Sequence, residues 1–303
     1  MNNGWFHTAK VHKKFGFDLS IGVNGSFVPS ERETYNISNL GLTSTIKNAP
    51  TSSPTIFGED TKGQVTLVTQ VTGQINGTGP TVTRNAEIPL DLPTGFKKDL
   101  PANVVPAPAI QLTVGLPWKL DASLRLVPKV GDDDVKGSLF GIGLKKEITS
   151  ILGPLDKLPL HLSVMATYTS MNVDSKIEDS NEADFTIRNA RSEFRLNAYS
   201  VQALASINFP IINFYGAVGY GTGNAKLNVL GTYTTTYDVV VNNVPTSERI
   251  TATLTDPIKQ EFNAGSMRAT VGTRLSLGFF KIFADYTLQE YNTVNAGIAF
   301  SFR

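Results

Sequence analysis

The chain has 303 residues, enough for one large domain or two ordinary ones. Charged residues make up 17 %, below the usual quarter, and a net charge of +1 argues against nucleic acid or another polyanion as partner. Cysteine is absent, which excludes disulfides and thiolate metal sites, and the three histidines, His7, His12 and His161, are too scattered for a zinc enzyme.

No apolar run reaches the length of a membrane helix, and no basic-then-apolar leader precedes "MNNGWFHTAK". A transmembrane β-barrel accommodates both facts, because its strands alternate and never build a long apolar run. Its leader would have been removed, or its start would lie upstream of Met1.

Alternating strands follow one another along the chain, many about ten residues long, the length a tilted strand needs to cross a bilayer. "FGFDLSIGVNGSF" puts Phe15, Phe17, Leu19, Ile21 and Val23 on one face and Asp18, Ser20, Gly22 and Asn24 on the other. "QVTLVTQVTGQINGTGPTVTRNAEIPL" has strand-like arms around an Asn-Gly turn, but a weak apolar face. "AIQLTVGLPWKLDASLRLV" reads as a hairpin: Ile110, Leu112, Val114 and Leu116 share a face with Leu120, Ala122, Leu124 and Leu126, and Gln111, Thr113, Asp121, Ser123 and Arg125 oppose them. "GDDDVKG" reads as a solvated acidic turn; Asp132, Asp133 and Asp134 fit no calcium-loop spacing.

"SLFGIGLK" continues the alternation, and "KKEITSILGPLDKLP" places Ile148, Ile151, Leu152 and Leu155 at helical spacing, predicting a short amphipathic helix at a membrane surface. "LPLHLSVMATYTSM" is another strand. "EFRLNAYSVQALASINF" alternates twice, and its change of register near Tyr199 and Ser200 predicts a β-bulge, a candidate lateral opening. "IINFYGAVGYGTG" follows, then "YTTTYDVVVNNVPTSERITATLT", a second weakly apolar pair of arms. "SMRATVGTRLSLGFFKIFADYTLQEY" is a clear hairpin, and the chain closes on "YNTVNAGIAFSFR".

With the last strand running inward, Leu116–Trp118, Asn208–Ile211 and Leu277–Lys281 become short inner turns. Residues 30–106, 173–191 and 231–263 become long outer loops or hairpins. That alternation is the pattern of an outer-membrane barrel, and a soluble sandwich offers no reason for it. The fold expected is all-β, a transmembrane antiparallel barrel over residues 15–303, of ten strands plus two for each hairpin that joins. The mixed face then lines the lumen and presents Asp18, Gln111, Asp121, Arg125, His161, Arg195, Gln202, Arg268, Arg274 and Asp285. Arg274 and Asp285 fall nearly opposite across the "LGFFK" turn, predicting an interior ion pair. Trp118, Phe209, Phe214, Phe280 and Phe302 lie near inner ends, and Tyr168, Tyr220 and Tyr291 near outer ends, as interfacial belts require.

The final strand, with Phe300 and Phe302, resembles the C-terminal signal read by the barrel-assembly machinery of bacterial outer membranes, although Phe302 is penultimate. "NNGWFHTAKVHKKFGFDLSIG", "VPAPAIQLTVGLPWKLDASLRLVPKV" and "LFGIGLKKEITSILGPLDKLPLHLSVMATYTSM" resemble FadL-like porins, PorV-type barrels, and an uncharacterised outer-membrane family of Bacteroidetes, the DUF6588 type. The resemblance implies a barrel of 12–14 strands, most simply fourteen. It also implies that residues 1–14, with Gly4 and Trp5, are the last part of a hatch whose preceding part is missing.

The expected location is the bacterial outer membrane, with its lipid and lipopolysaccharide as surroundings. The resemblance implies a channel for uptake of small hydrophobic compounds; the alternative is a non-transporting scaffold in an envelope complex. No catalytic, metal or cofactor constellation is present in the sequence, and no enzyme is expected. Asn36-Ile-Ser38 and Asn76-Gly-Thr78 match the glycosylation triplet, which has no force in bacteria.

Overall fold

The computed structural model describes residues 2–36, 45–47, 50–55, 58–61, 63–76, 78–92, 97–99, 104–131, 134–151, 153, 158–181, 184–241, 244–256 and 258–302. Apart from short 3₁₀ turns, these residues are strands and connections. The strands are β1 (Phe17–Phe27), β2 (Thr34–Asn36), β3 (Thr45–Lys47), β4 (Ser52–Pro54), β5 (Gly63–Ile75), β6 (Thr81–Leu92), β7 (Val104–Leu116), β8 (Leu120–Gly131) and β9 (Val135–Glu147). They continue as β10 (Leu160–Lys176), β11 (Ser180–Asn181), β12 (Phe185–Asn208), β13 (Ile212–Val241), β14 (Val244–Thr255), β15 (Ile258–Leu277), β16 (Phe280–Leu288) and β17 (Thr293–Phe302).

Ten of them close a ring in the order β1-β7-β8-β9-β10-β12-β13-β15-β16-β17, every neighbour antiparallel. The seam joins the first and last strands from Phe17↔Phe302 to Ser26↔Thr293. A closed ring leaves no strand edge, so the wall's backbone groups can find partners on neighbouring strands.

Period two then sorts the side chains. Leu19, Ile21, Ile110, Leu112, Leu124, Ile142, Leu144, Val201, Val218, Val271 and Ile282 stand exposed on the outer face. Their neighbours Ser20, Thr113, Ser123, Ser163, Thr169, Ser206, Thr270 and Asn295 are buried inside. This is a soluble protein's pattern inverted. At the short-turn end Phe17 stacks on Phe302 at 5.0 Å, and Phe279 on Phe302 at 6.0 Å.

Ten strands replace the 12–14 that the family resemblance implied. Neither extra hairpin enters the ring, and β13 shows why. Its lower part pairs β15 from Ile212↔Leu275 to Val229↔Ile258, and its upper part pairs β14 from Thr232↔Thr255 upward. Thirty residues span about 100 Å, far more than a bilayer core needs. The β14 strand therefore pairs with β13 beyond the last β15 partner, its final residue Thr255 lying nearest the ring. Hydroxyl pairs Thr234–Thr253 and Thr236–Thr251, each 3.2 Å apart, face one another there, a chemistry suited to water. The β5–β6 hairpin joins this crown through Ile75↔Ile250 and Gln74↔Thr251.

A smaller ribbon, β2–β4, belongs to the connection after β1. Lys97 donates to Glu33 at 2.8 Å and lies 3.2 Å from Glu59, and these partners raise its pKa above the ordinary lysine value. Arg32 ties the connection to Glu290 at 2.9 Å.

Three local expectations are corrected. Pairing runs unbroken through Tyr199 and Ser200, with Tyr168↔Tyr199 and Ser200↔Gly221; the irregularity lies between Arg188 and Arg191. The apparent register change is a change in which face carries the apolar residues, while both ladders of β12 run on to Arg191. Arg195 stands in the upper part of β12, on the same parity as exposed Tyr199 and Val201, so it does not line the lumen; it pairs with Asp174 at 2.9 Å. Over the described part of the expected helix, Thr149, Ser150 and Ile151 form a 3₁₀ turn, with Ile148 N–H bonded to the Leu162 carbonyl at 2.8 Å. Leu152, Leu155, Asp132, Asp133, Ile37, Ser38 and Gly77 lie outside the described residues.

Candidate functional site in the barrel lumen

The segment Asn2–Lys14 lies inside the ring. It enters through a tight turn before β1: Gly16 N–H bonds to the Lys13 carbonyl at 2.8 Å, and Phe15, at φ 63°, bonds to the Gly115 carbonyl at 2.7 Å. From there the segment climbs the lumen to Asn2.

Its apolar residues build the core. Trp5 is 2 % exposed and Ala9 fully buried, and with Phe6 they cluster against Met165, Leu204, Tyr215 and Ala217. The wall makes room with glycine: a Cβ at Gly141 would lie 2.8 Å from the Trp5 ring.

Its backbone is satisfied by side chains from around the ring, the requirement for any irregular chain buried away from water. Arg125 donates to the Asn3 carbonyl at 2.7 Å and the Gly4 carbonyl at 2.6 Å, and its guanidinium stacks 4.1 Å from the Trp5 ring centre. Gln111 holds the Trp5 carbonyl at 3.0 Å and accepts from Arg125 at 2.9 Å. Arg268 reaches the Asn2 carbonyl at 3.0 Å. Lys145 binds the Thr8 and Lys10 carbonyls at 3.2 and 3.1 Å, and Ser163 Oγ donates to the Ala9 carbonyl. Glu147 accepts from Val11 N–H, and Asp121 from His12 N–H, each at 3.0 Å.

All three histidines sit in this network beside a carboxylate: His7 with Asp18 at 3.4 Å, His12 with Asp121 at 3.1 Å, and His161 with Glu147 at 3.0 Å. Arg274 contacts His7 Nδ1 at 3.0 Å. A guanidinium only donates, so Nδ1 accepts and the His7 proton sits on Nε2, toward Asp18.

The predicted lumen residues are placed as follows. Asp18, Gln111, Asp121, Arg125, Gln202, Arg268, Arg274 and Asp285 are buried on the inner face, and His161 is half-buried near its short-turn end. Arg274 and Asp285 do not pair. The register sets Asp285 against Gly272 and Arg274 against Phe283. Asp285 instead accepts from Tyr215 at 2.9 Å and Asn295 at 2.8 Å.

Sequence reasoning missed Lys145 and Glu147, although both share the parity of Gly141 and Gly143, because "KKE" also reads as the start of the following connection. It also missed Tyr215 and Phe283. Aromatic side chains on the inner face pack the segment, and no wall periodicity signals that. Among the described residues no cluster suited to a metal ion is present.

Two cavities flank the segment. One of 540 Å³ opens at the short-turn end, lined by Thr8, Lys10, Lys13, Arg274, Lys281 and Phe302 among others. One of 160 Å³ opens at the long-loop end, beside Asn2, Asn3, Tyr199, Arg268 and Tyr291.

A sequence model of the DUF6588 family, a family of unknown function, matches residues 1–302. The chain belongs to the DUF6588 family. No curated protein matches this DUF6588 chain. Among solved structures it is similar to Ail, the attachment invasion locus protein of Yersinia pestis, at 9 % identity and TM-score 0.30, covering 96 % of this chain and 100 % of that one. It is also similar to OmpT, an outer membrane protein of Vibrio cholerae, at 7 % identity and TM-score 0.14, covering 96 % and 100 %. A BenF-like porin from Pseudomonas fluorescens aligns at 9 % identity and TM-score 0.13, covering 95 % and 98 %.

Proposed function

We propose that this chain is a non-enzymatic barrel of the bacterial outer membrane. Its own N-terminal segment stops the lumen, and it holds its β-stranded crown at the cell surface as a platform for envelope proteins. An apolar outer face around a closed ring is stable against hydrocarbon and unfavourable in water, which supports the membrane location. The stopped lumen carries the preference for a platform over a channel. Arg125, Gln111, Lys145, Glu147, Asp121 and Arg268, from strands β7, β8, β9 and β15, each hold the segment's backbone.

The FadL-like reading, uptake of small hydrophobic compounds, is favoured by one observation: a cavity flanks the segment at each mouth. Against it stands the wall chemistry, which is charged and hydroxylic where an apolar solute would pass.

Planar-bilayer recording of the full-length protein tests the stopped lumen. We expect a silent membrane, and stepwise conductance from a variant lacking residues 2–13. Steady conductance from the full-length protein would overturn the reading. Native mass spectrometry after mild extraction then separates platform from channel: a stoichiometric complex with envelope proteins supports the former, a lone barrel retaining fatty acid the latter.

A further inference from the structure

The segment is tethered to one side of the lumen. Over Thr8–His12 its bonds run to Asp121, Lys145, Glu147, Ser163 and Ser206, on β8, β9, β10 and β12. The opposite wall, β15–β17, stands off at the short-turn end, and the gap between them is the 540 Å³ cavity. That volume falls in the range of small-molecule sites.

Its lining is strongly biased in charge. Lys10, Lys13, Arg274 and Lys281 all line it, His12 is drawn toward Asp121, and no lining residue is acidic. The ammonium groups of Lys10 and Lys13 have no partner among the described residues. Arg274, 8 % exposed, forms the floor and contacts His7 rather than a carboxylate. A buried guanidinium facing uncommitted ammonium groups is suited to an anion with several oxygens. Phe279 and Phe302, 59 % and 45 % exposed, add a stacked apolar shoulder.

We propose that this cavity binds a phosphate-bearing anion. Two sources share that chemistry, the head group of an anionic phospholipid and free phosphate. The site needs the segment seated in the lumen, and so rests on that part of the proposed function; bilayer recording of the same protein separates a failure of the seating from a failure of the site.

The test uses the full-length protein in non-ionic detergent. Inorganic phosphate is titrated calorimetrically against chloride at equal ionic strength, and native mass spectrometry measures retention of phosphatidylglycerol against phosphatidylcholine. Each probe is repeated on K10A/K13A and on K14A/K119A. The second pair removes the same charge but does not line the cavity. We expect K10A/K13A to weaken binding about tenfold or more, and K14A/K119A to leave it within about twofold. Phosphatidylglycerol held one-to-one and lost only in K10A/K13A identifies the lipid source, and inorganic phosphate behaving so identifies the soluble one. Equal loss in both variants reduces the effect to rim charge and overturns the proposal. So does binding of neither probe.

Discussion

Arg125 does the work of several residues. It holds two segment carbonyls, donates to the Gln111 amide oxygen, and covers Trp5. A lysine keeps the charge but loses the fork and the planar stack. We expect Arg125→Lys to weaken docking of the segment by about 2 kcal/mol. The reporter is built in: Trp5 is buried and Trp118 is 83 % exposed, so Trp118→Phe leaves one tryptophan inside the lumen. Acrylamide quenching of that residue should rise in the Arg125→Lys variant while β-sheet circular dichroism stays constant. Lys97 offers a pH-dependent counterpart outside the ring. Its raised pKa means the clasp with Glu33 and Glu59 contributes fully below the ordinary lysine range and fades as pH climbs through the folded value. Proteolysis near Glu33 should therefore quicken in strong alkali, and Lys97→Ala should produce the same nicking at neutral pH.

Among the described residues the crown hairpin pairs with β14 at two positions, with one further bond from Asn76 N–H to the Arg249 carbonyl at 2.7 Å, so it is separable as an element. At Gly73 an added Cβ would lie 2.3 Å from the Thr251 carbonyl and 2.7 Å from Ile250. We expect Gly73→Val to release β5–β6 to protease while the ring resists, seen as a clipped but still heat-modifiable band on a gel. The elements themselves were readable wherever period two was strong: β1, β7, β8, β16 and β17 match their alternating stretches. The crown was not readable as such, because its threonine-rich arms alternate like wall strands and only pairing tells a wall strand from a projection. For the lumen, parity identified which wall positions turn inward, Asp18 and Arg125 among them. Their partners were hidden, since Arg125 spends its donors on the backbone of Asn3 and Gly4, and backbone carbonyls carry no sequence signature.

The outer face offers a decisive substitution for the whole molecule. Val271 is 66 % exposed and lies six residues from the short-turn end of β15, roughly 16 Å along the barrel axis and close to mid-height of an apolar band about 25 Å tall. In water an arginine there would be nearly neutral. In a bilayer it should cost about 2–4 kcal/mol, so Val271→Arg should lower the urea midpoint of the protein refolded into liposomes. An unchanged midpoint would argue that this face never meets lipid.

The seam between β1 and β17 sets an order on assembly. It joins positions more than 260 residues apart, the most distant contact the ring contains, and distant contacts form late because their loop closure is the costliest. The segment is attached directly to β1 through the turn at Phe15 and Gly16. The wall thus wraps a cargo already tied to its leading edge, and no bulky Trp5 has to be threaded through a finished pore. Enclosure becomes a by-product of closing the ring, and a segment once enclosed leaves only through a mouth or by reopening that same seam.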